Sequence, residues 1–195
     1  MTRTSAKVYI EGTKPLLFCT FPLDTFSSDR KKEGKTGDNN QEWKSTVLMD
    51  EKRQLYVYNT YFMNAIGEGG KEIKVGRGSL ARKIASAIEI VENKIYLDAL
   101  FVPEEENLSR IDTNPVYLDV RAVVNPMTKG RNLRYRIAAK AGWKCNFILS
   151  WDDRIISKDQ IRLCIENGGL LQGIGDGRKI GFGKFKLANF TAISN

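Results

Sequence analysis

A glycine-rich stretch near the end of the sequence, GIGDGRKIGFGKF, has the residue types of a phosphate-binding loop. Glycine has no Cβ, so such a loop can adopt positive φ angles and bring backbone N–H groups close to an anion. The candidate contacts are two Gly-x-Gly pairs and the cations between them: Gly173, Gly175, Gly181, Gly183, Arg178 and Lys179. The alternative is a helix-to-strand connection in which the glycines serve only the helix end and the turn.

Further basic residues lie on segments where an alternating pattern would expose them. At 133–137 and again at 184–187, apolar residues alternate with Arg or Lys, which indicates strands with one apolar and one basic face. Clustered cations of this kind bind phosphate. The alternative is a solvated surface that discourages edge pairing. The additional candidates for nucleic-acid contact are Arg77, Arg82, Arg131, Arg134, Arg136, Lys140 and Lys184.

The sequence contains no histidine, which removes the commonest general base and the histidine-based nucleophile and metal systems. Three cysteines far apart in sequence, Cys19, Cys145 and Cys164, indicate buried free thiols rather than disulfides or a zinc site. The consecutive acids at 104–106 diverge and indicate a solvated loop. We therefore expect no catalytic residue, no bound metal and no cofactor, although carboxylate-bound Mg²⁺ or a Lys/Tyr mechanism remains open.

The composition favours one basic globular domain. A chain of 195 residues with 42% apolar content can form one sizeable core, so a single domain over 1–195 is expected. Thirty-one Lys and Arg against 23 Asp and Glu give a formal charge of +8, which favours a polyanionic partner such as nucleic acid. No apolar stretch approaches the roughly 18 residues of a membrane span, and no signal-peptide core follows the polar start. A cytoplasmic protein without membrane contact is expected.

Hydrophobic periodicity predicts the elements that must position these residues. Residues 80–91 place four apolar side chains on one helical face, which predicts a helix over 79–92. Strict alternation predicts a strand over 143–151 that forms a hairpin with the run 133–137. Other strands are predicted near 7–11, 16–21, 55–58, 94–102, 116–124 and 181–190, and a short helix from 59.

A last helix carries its own start and stop signals. Ser157 and Gln160 match the S-x-x-Q capping box, in which each side chain satisfies a backbone N–H of the other residue. Gly168 and Gly169 are the expected C-terminal stop. The glycine-rich stretch therefore follows a helix and precedes a strand.

The core elements then run strand, helix, strand, strand, helix, strand. This is the split βαβ plan of an α+β, ferredoxin-like (RRM-like) domain, in which an antiparallel sheet packs its helices on one face. An inserted hairpin and long flexible loops near 22–46, 67–78 and 103–115 would be added to it. The other sheet face is free to bind, although no RNP signature is present. The tyrosines that could stack on bases are Tyr56, Tyr58, Tyr61 and Tyr135.

With the last helix placed, the string Gly-Ile-Gly, five residues, Gly-Phe-Gly-Lys-Phe resembles a known family loop. It is similar to the C-terminal glycine-rich loop of the repeat-associated (RAMP) superfamily of CRISPR-associated proteins. It also lies where that superfamily has the loop, between the last helix and the last strand of a ferredoxin-like fold. The motif covers thirteen residues, and the element order extends the similarity over much of the chain.

Within that superfamily, the resemblance points to the backbone subunits, which polymerise along a guide RNA and hold its sugar-phosphate chain. It implies a non-catalytic subunit that binds single-stranded RNA without regard to sequence. The partners it implies are guide RNA, copies of the same chain and other CRISPR effector subunits. A processing endoribonuclease is the weaker alternative, because such nucleases frequently rely on histidine.

The chain also departs from the family pattern. It is shorter than typical backbone subunits, and the long thumb hairpin of those subunits has only two candidate positions, 22–44 and 103–115. Target-cleaving members use an aspartate in an early loop, where Asp24, Asp29 and Asp38 lie without a motif to choose among them. A compact phage-encoded relative that copies or blocks a defence complex, acting as a protein-interaction module or inhibitor, fits the size equally well.

Overall fold

The computed structural model describes residues 3–20, 40–124, 127 and 129–193. The four α-helices in these ranges are α1 (Glu42–Thr46), α2 (Asn59–Gly69), α3 (Ala81–Ala87) and α4 (Lys158–Asn167). The strands in these ranges are β1 (Thr4–Gly12), β2 (Leu16–Leu17), β3 (Gln54–Tyr58), β4 (Lys74–Val75), β5 (Gly78–Ser79), β6 (Ile88–Ile90), β7 (Lys94–Phe101), β8 (Val116–Val124), β9 (Arg131–Ala139), β10 (Lys144–Trp151) and β11 (Phe185–Ile193). No helix in the described part of the chain is long and apolar enough to cross a membrane.

The main sheet has the order β11-β1-β10-β7-β3, with β6 also paired to β10. Every neighbouring pair is antiparallel. The chain leaves β1, passes through α2 and α3, and returns as β6 and β7 on the far side of β10, which is the split βαβ arrangement. The predicted α+β, ferredoxin-like fold is therefore confirmed, with β3 added at one edge.

One face of this sheet forms the core with the helices. Val8 in the interior strand β1 lies opposite Phe147 of β10 on one side and Phe190 of β11 on the other. From α2, the Phe62 ring lies 4.9 Å from Phe147 and 5.5 Å from Phe185, centroid to centroid. All five side chains are buried. Each stabilises the fold by about 1.5–3 kcal/mol relative to an exposed position, so the alternating pattern fixes which sheet face meets the helices.

Helices α2 and α4 cross at a contact between glycines. A Cβ on Gly168 would lie 2.3 Å from the Ala65 carbonyl oxygen, and a Cβ on Gly69 would lie 2.1 Å from the Cys164 carbonyl oxygen. Neither glycine can therefore carry a side chain without separating the helices. These glycines set the distance between the two helix backbones.

The predicted start and stop of α4 are both confirmed, since the α-helix ends at Asn167 with Gly168 as its C-cap. The Ser157 hydroxyl accepts from the Gln160 N–H at 3.3 Å, and the Gln160 amide oxygen accepts from the Ser157 N–H at 3.1 Å. A π-helical turn over Gly168–Gln172 follows directly and ends at Gly173. Gly168 and Gly169 also pack closely against α2 and β11, where a Cβ on either glycine would lie 2.3 Å from a backbone oxygen.

A second sheet has the order β2-β9-β8, so the predicted hairpin between 133–137 and 143–151 is wrong. β9 pairs with β8 over nine residues, whereas β10 pairs with β1 in the main sheet. The connection between β9 and β10 is held by Gly12, whose N–H donates to the Trp143 carbonyl at 2.7 Å and whose carbonyl accepts from Gly142. The chain therefore changes sheet at this turn instead of folding back on itself.

The helix predicted over 79–92 is correct only in its first half. α3 ends at Ala87, and Ile88 and Ile90 continue as β6, paired with Trp151 and Leu149 of β10. Both isoleucines are buried two residues apart, which suits a strand, and pairing with β10 overrides the local helical pattern.

The three predicted loop insertions have different structures. Residues 67–78 include the end of α2, a 3₁₀ turn over Gly70–Glu72 and the small β4–β5 hairpin, so this segment is not one loop. Residues 103–115 contain a 3₁₀ turn over Glu105–Asn107. The prediction for 22–46 lies largely outside the described residues, but its end forms α1.

Candidate nucleic-acid interface

The glycine-rich stretch is joined to the second sheet through its backbone. The Asp176 N–H donates to the Leu17 carbonyl of β2 at 2.9 Å, and the Gly183 N–H donates to the Pro15 carbonyl at 2.8 Å. The two ends of the loop also meet, because the Ile174 N–H donates to the Gly183 carbonyl at 2.9 Å. Much of the loop backbone is therefore occupied by the fold, and its centre is a 3₁₀ turn over Arg178–Ile180.

Most of the glycines that were predicted to contact phosphate are instead packed closely against other parts of the fold. A Cβ on Gly183 would lie 1.7 Å from the Ile174 carbonyl oxygen, and one on Gly173 would lie 2.7 Å from the Gly183 carbonyl oxygen. A Cβ on Gly175 would lie 2.6 Å from the Leu17 carbonyl oxygen. Gly181 differs, since its φ of 96° is left-handed but the space around it is open. The loop thus presents side chains, rather than a bare backbone cradle, to a ligand.

A small hydrophobic cluster fixes the loop against the second sheet. Leu17, Tyr117, Ala138 and Phe182 are buried together, apart from the main core. The Arg121 guanidinium carbon lies 4.7 Å from the centroid of the Phe182 ring, a cation–π contact. The β8–β9 hairpin and the glycine-rich loop therefore form one packed unit.

A chain of ion pairs also connects the β8–β9 hairpin to the glycine-rich loop. Arg121 Nε donates to Asp119 Oδ1 at 2.7 Å, and Arg136 Nη2 donates to Asp119 Oδ2 at 3.1 Å. Arg136 Nη1 then donates to Asp176 Oδ2 at 2.7 Å. The Arg136 side chain is only 6% exposed, so its predicted exposed position is wrong. The predicted alternation does not hold in β9: residues 131–134 are all exposed and residues 135–139 are all buried, Arg136 among them.

Arg134 keeps the exposed position that alternation predicts. Its side chain is 49% exposed and forms an ion pair with Glu42 of α1. Glu42 also accepts a hydrogen bond from the Tyr135 N–H at 3.4 Å. Arg134 can therefore reach solvent, but part of its charge is balanced by Glu42.

A cleft of about 270 Å³ opens beside the loop. Its walls come from three segments: the chain just after β2, one face of α2, and the loop itself. The lining residues are Cys19, Tyr61, Asn64, Ile174, Gly175, Asp176 and Arg178. Tyr61 and Asn64 are three residues apart on α2 and so share a helix face.

Burial raises the pKa values of two side chains that line the cleft, Cys19 and Tyr61. Although Cys19 is exposed as a residue, burial of its thiol is the largest cause of its raised pKa; Asp176 adds to this and Arg134 opposes it. Burial also raises the pKa of the Tyr61 phenol, an effect that the Arg178 charge partly offsets. Both groups therefore stay protonated near neutral pH, and the Tyr61 hydroxyl can act as a donor.

The structure brings only some of the predicted residues to this cleft. Gly175 and Arg178 line it, and the exposed Lys179 follows directly. The Lys184 ammonium donates to the Leu171 carbonyl, and burial lowers its pKa, so this lysine ties the loop to the π-helical turn. The remaining predicted cations are exposed on elements that do not line the cleft: Arg77 in the β4–β5 turn, Arg82 on α3, Arg131 at the outer end of β9, and Lys140 after β9.

Of the tyrosines predicted to stack on bases, Tyr56 and Tyr135 are buried, at 6% exposure each. Tyr58 is 37% exposed, and its ring lies edge-on to Tyr56 with 5.6 Å between centroids. Tyr61 is partly exposed in the cleft. Tyr61 is therefore the predicted stacking residue that lies beside the loop cations.

The exposed hairpin is β8–β9, which is not at either position predicted for a thumb. Residues 121–124 and 131–134 are exposed on both faces, so the outer part of this hairpin extends from the body. Its exposed apolar residues are Val123, Val124, Met127 and Leu133. The candidate at 22–44 lies mostly outside the described residues, as do Asp24, Asp29 and Asp38.

These features define a ferredoxin-like α+β protein with an inserted hairpin and a glycine-rich loop between its last helix and last strand. Among 127 matching chains of solved structures is one from the cryo-EM structure of the Type III-B Cmr-beta bound to cognate target RNA. The TM-score is 0.59 at 12% identity, and the match covers 98% of this chain and 61% of that chain. This protein thus spans about three-fifths of that neighbour's length, and the likeness is one of fold. No protein-family model and no curated protein sequence matches the chain.

Proposed function

We propose that this protein binds single-stranded RNA as a non-catalytic subunit of a CRISPR-type ribonucleoprotein, holding the strand by its sugar-phosphate backbone. The observation that carries the proposal is the similarity, over 98% of the chain, to a chain of an RNA-bound Cmr-beta complex. The RAMP-like position of the glycine-rich loop, between α4 and β11, supports the same assignment. The formal charge of +8 is suited to a polyanionic partner.

The proposed phosphate contacts begin at the loop side chains. Arg178 and Lys179 are exposed and form no ion pair with another residue in the described part of the chain. Arg134 borders the same region, since its charge partly opposes the rise in the Cys19 pKa that burial causes. Exposed guanidinium and ammonium groups bind phosphate by charge and carry no sequence information. Binding through them is therefore insensitive to sequence.

The matched test is the salt dependence of RNA binding by fluorescence anisotropy. Each lost phosphate contact lowers the magnitude of the log–log salt slope by about 0.7, so Arg178→Ala with Lys179→Ala should lower it by about 1.4. The control is Lys52→Ala with Lys83→Ala, which removes two exposed lysines from outside the cleft and should leave the slope unchanged. Equal slopes for wild type and the loop variant would refute the proposed contact.

The second candidate function is a protein-interaction module or inhibitor that mimics such a subunit. The exposed apolar residues at the outer end of β8–β9, Val123 at 41% and Val124 at 52%, favour it, since charged RNA offers no comparable apolar surface. Val123→Ser with Val124→Ser should weaken capture by a purified Type III effector complex and leave RNA affinity unchanged. If this variant lost only its affinity for RNA, the hairpin would instead be a contact surface for RNA.

A further inference from the structure

The cleft carries a hydrogen-bond acceptor that phosphate contact does not use. The Asp176 side chain is 39% exposed there, and its Oδ2 accepts from Arg136. Within the described residues no side chain or backbone group donates to Oδ1. A carboxylate repels phosphate and accepts hydrogen bonds only, so the matching part of a ligand must be an N–H or O–H donor.

This acceptor is held in place before any ligand arrives. Arg136, which binds it, is buried and is fixed in turn by Asp119 at 3.1 Å. The backbone of Asp176 is fixed as well, because its N–H donates to Leu17. A carboxylate held at both its backbone and one oxygen loses little freedom on binding, which favours discrimination between ligands.

The other cleft walls suit a planar, partly apolar group linked to an anion. Tyr61 supplies a partly exposed aromatic ring with a protonated hydroxyl. Arg178 supplies an exposed cation at the same cleft, and Asn64 an exposed amide. RNA-binding proteins read unpaired bases with this combination of an aromatic ring and hydrogen-bonding side chains. The volume of about 270 Å³ lies just below the roughly 300–1,000 Å³ of drug-sized sites, so the cleft fits one base.

We propose that the cleft receives one unpaired nucleobase and prefers guanine. The Watson–Crick edge of guanine presents two adjacent N–H donors to a carboxylate, whereas adenine and cytosine present one amino group beside an acceptor nitrogen. Uracil presents one N–H between two carbonyl oxygens, which the carboxylate repels. The RNA-bound form of this inference rests on the proposed function: phosphate contacts hold any sequence, and the cleft adds a preference at one nucleotide.

The test compares oligouridines that carry one central guanine, adenine, cytosine or uracil. Wild type should bind the guanine oligomer at least about fivefold more tightly than oligouridine, the low end of what a good carboxylate-to-base pair discriminates. Asp176→Asn should abolish this preference and leave oligouridine affinity unchanged. Asp98→Asn is the control, since Asp98 is exposed on β7 and does not line the cleft.

A second variant guards against a folding defect in Asp176→Asn. Tyr61→Leu keeps the Arg136–Asp176 pair intact and removes the ring, and it should weaken the guanine oligomer more than oligouridine. Equal affinity for all four oligomers in wild type would overturn the inference. A guanine preference that survives both variants would place base selection elsewhere and overturn it as well.

Free nucleotides separate this inference from the proposed function. If the protein binds no RNA, the proposed function fails. Calorimetry with guanosine and uridine monophosphates then tests separately whether the cleft binds a nucleotide. Tighter binding of guanosine monophosphate that Asp176→Asn removes would sustain the cleft as a nucleotide site. Equal or absent binding of both nucleotides would overturn it.

Discussion

Arg136 and Asp176 are 40 residues apart in sequence and meet through a 2.7 Å hydrogen bond between Nη1 and Oδ2. The bond joins β9 of the second sheet to the glycine-rich loop. Because Arg136 also binds Asp119 of β8, one buried cation connects the exposed hairpin, the loop and the cleft. The orientation of the acceptor in the cleft therefore depends on a residue that no ligand touches.

Arg136→Met should lower the free energy of unfolding by about 3 kcal/mol, because it breaks a buried ion pair and leaves the buried Asp119 with only the half-exposed Arg121 as its cation. Urea denaturation at constant salt measures the change. Adding Asp119→Leu to Arg136→Met should recover part of the loss, since burying neither charge is cheaper than burying one. Arg134→Met is the matched control and should cost no more than about 1 kcal/mol, because the Arg134 side chain is half exposed and its pair with Glu42 is open to solvent on that side. Similar losses for both single variants would contradict the buried role of Arg136.

Two glycines of the loop should respond very differently to alanine. Gly183→Ala places a Cβ 1.7 Å from the Ile174 carbonyl oxygen and should prevent stable folding of the loop. Gly181→Ala meets no atom within 4 Å and should cost only the left-handed backbone penalty of about 1–2 kcal/mol. Thermal unfolding of both variants checks the contrast. Equal melting temperatures would mean that the ends of the loop do not meet as described.

Stability should fall at alkaline pH because burial raises the pKa of the Cys164 thiol from 9.0 to about 12. The unfolded chain loses this proton near pH 9 while the folded chain retains it. The contribution is thus complete below pH 9 and declines as pH rises toward 12, by about 1.4 kcal/mol per unit. Urea unfolding under reducing conditions at pH 8, 9 and 10 should show a shallower decline for Cys164→Ala than for wild type. Parallel profiles would exclude the thiol as a cause.

The isolated protein should not cleave bound RNA, with or without Mg²⁺. The sequence has no histidine, and the described residues contain no group of three or more acids or cysteines placed to hold a metal ion. Denaturing gels after long incubation with labelled single-stranded RNA provide the measurement. Discrete products that disappear in Asp176→Asn would instead identify a nuclease.

Sequence patterns correctly predict the structural features that depend only on residues close together in the chain. Ser157 and Gln160 form the predicted capping box, because both partners lie within one turn. The alternation at 143–151 predicts β10 and its buried face for the same reason. The ferredoxin-like order of the main sheet then follows from the sequence of elements and the rule that antiparallel sheets pack helices on one face.

Pairings between distant segments are not local properties. The run at 133–137 offers the same apolar face to either neighbour, and only the nine-residue match with β8 decides its partner. Arg136 alternates with apolar residues as an exposed strand residue would, and its burial depends on the loop 40 residues later. The cleft takes Cys19, Tyr61 and Asp176 from three separate segments, so its composition cannot be derived from any one motif. The register pair of Asp119 with Arg136 is the signal that could have indicated a buried charge.

The interior position of β1, between β11 and β10, sets the order in which this chain can fold during synthesis. Both strands that flank β1 belong to the end of the sequence, residues 144–151 and 185–193. At about 5–20 residues per second, a ribosome needs on the order of ten seconds to make the chain between β1 and its first partner. During that time β1, with its apolar side chains Val8 and Ile10, has no partner strand with which to form a sheet. These apolar side chains therefore stay exposed on the nascent chain until β10 and β11 have been synthesised, and the sheet can close around β1 only then.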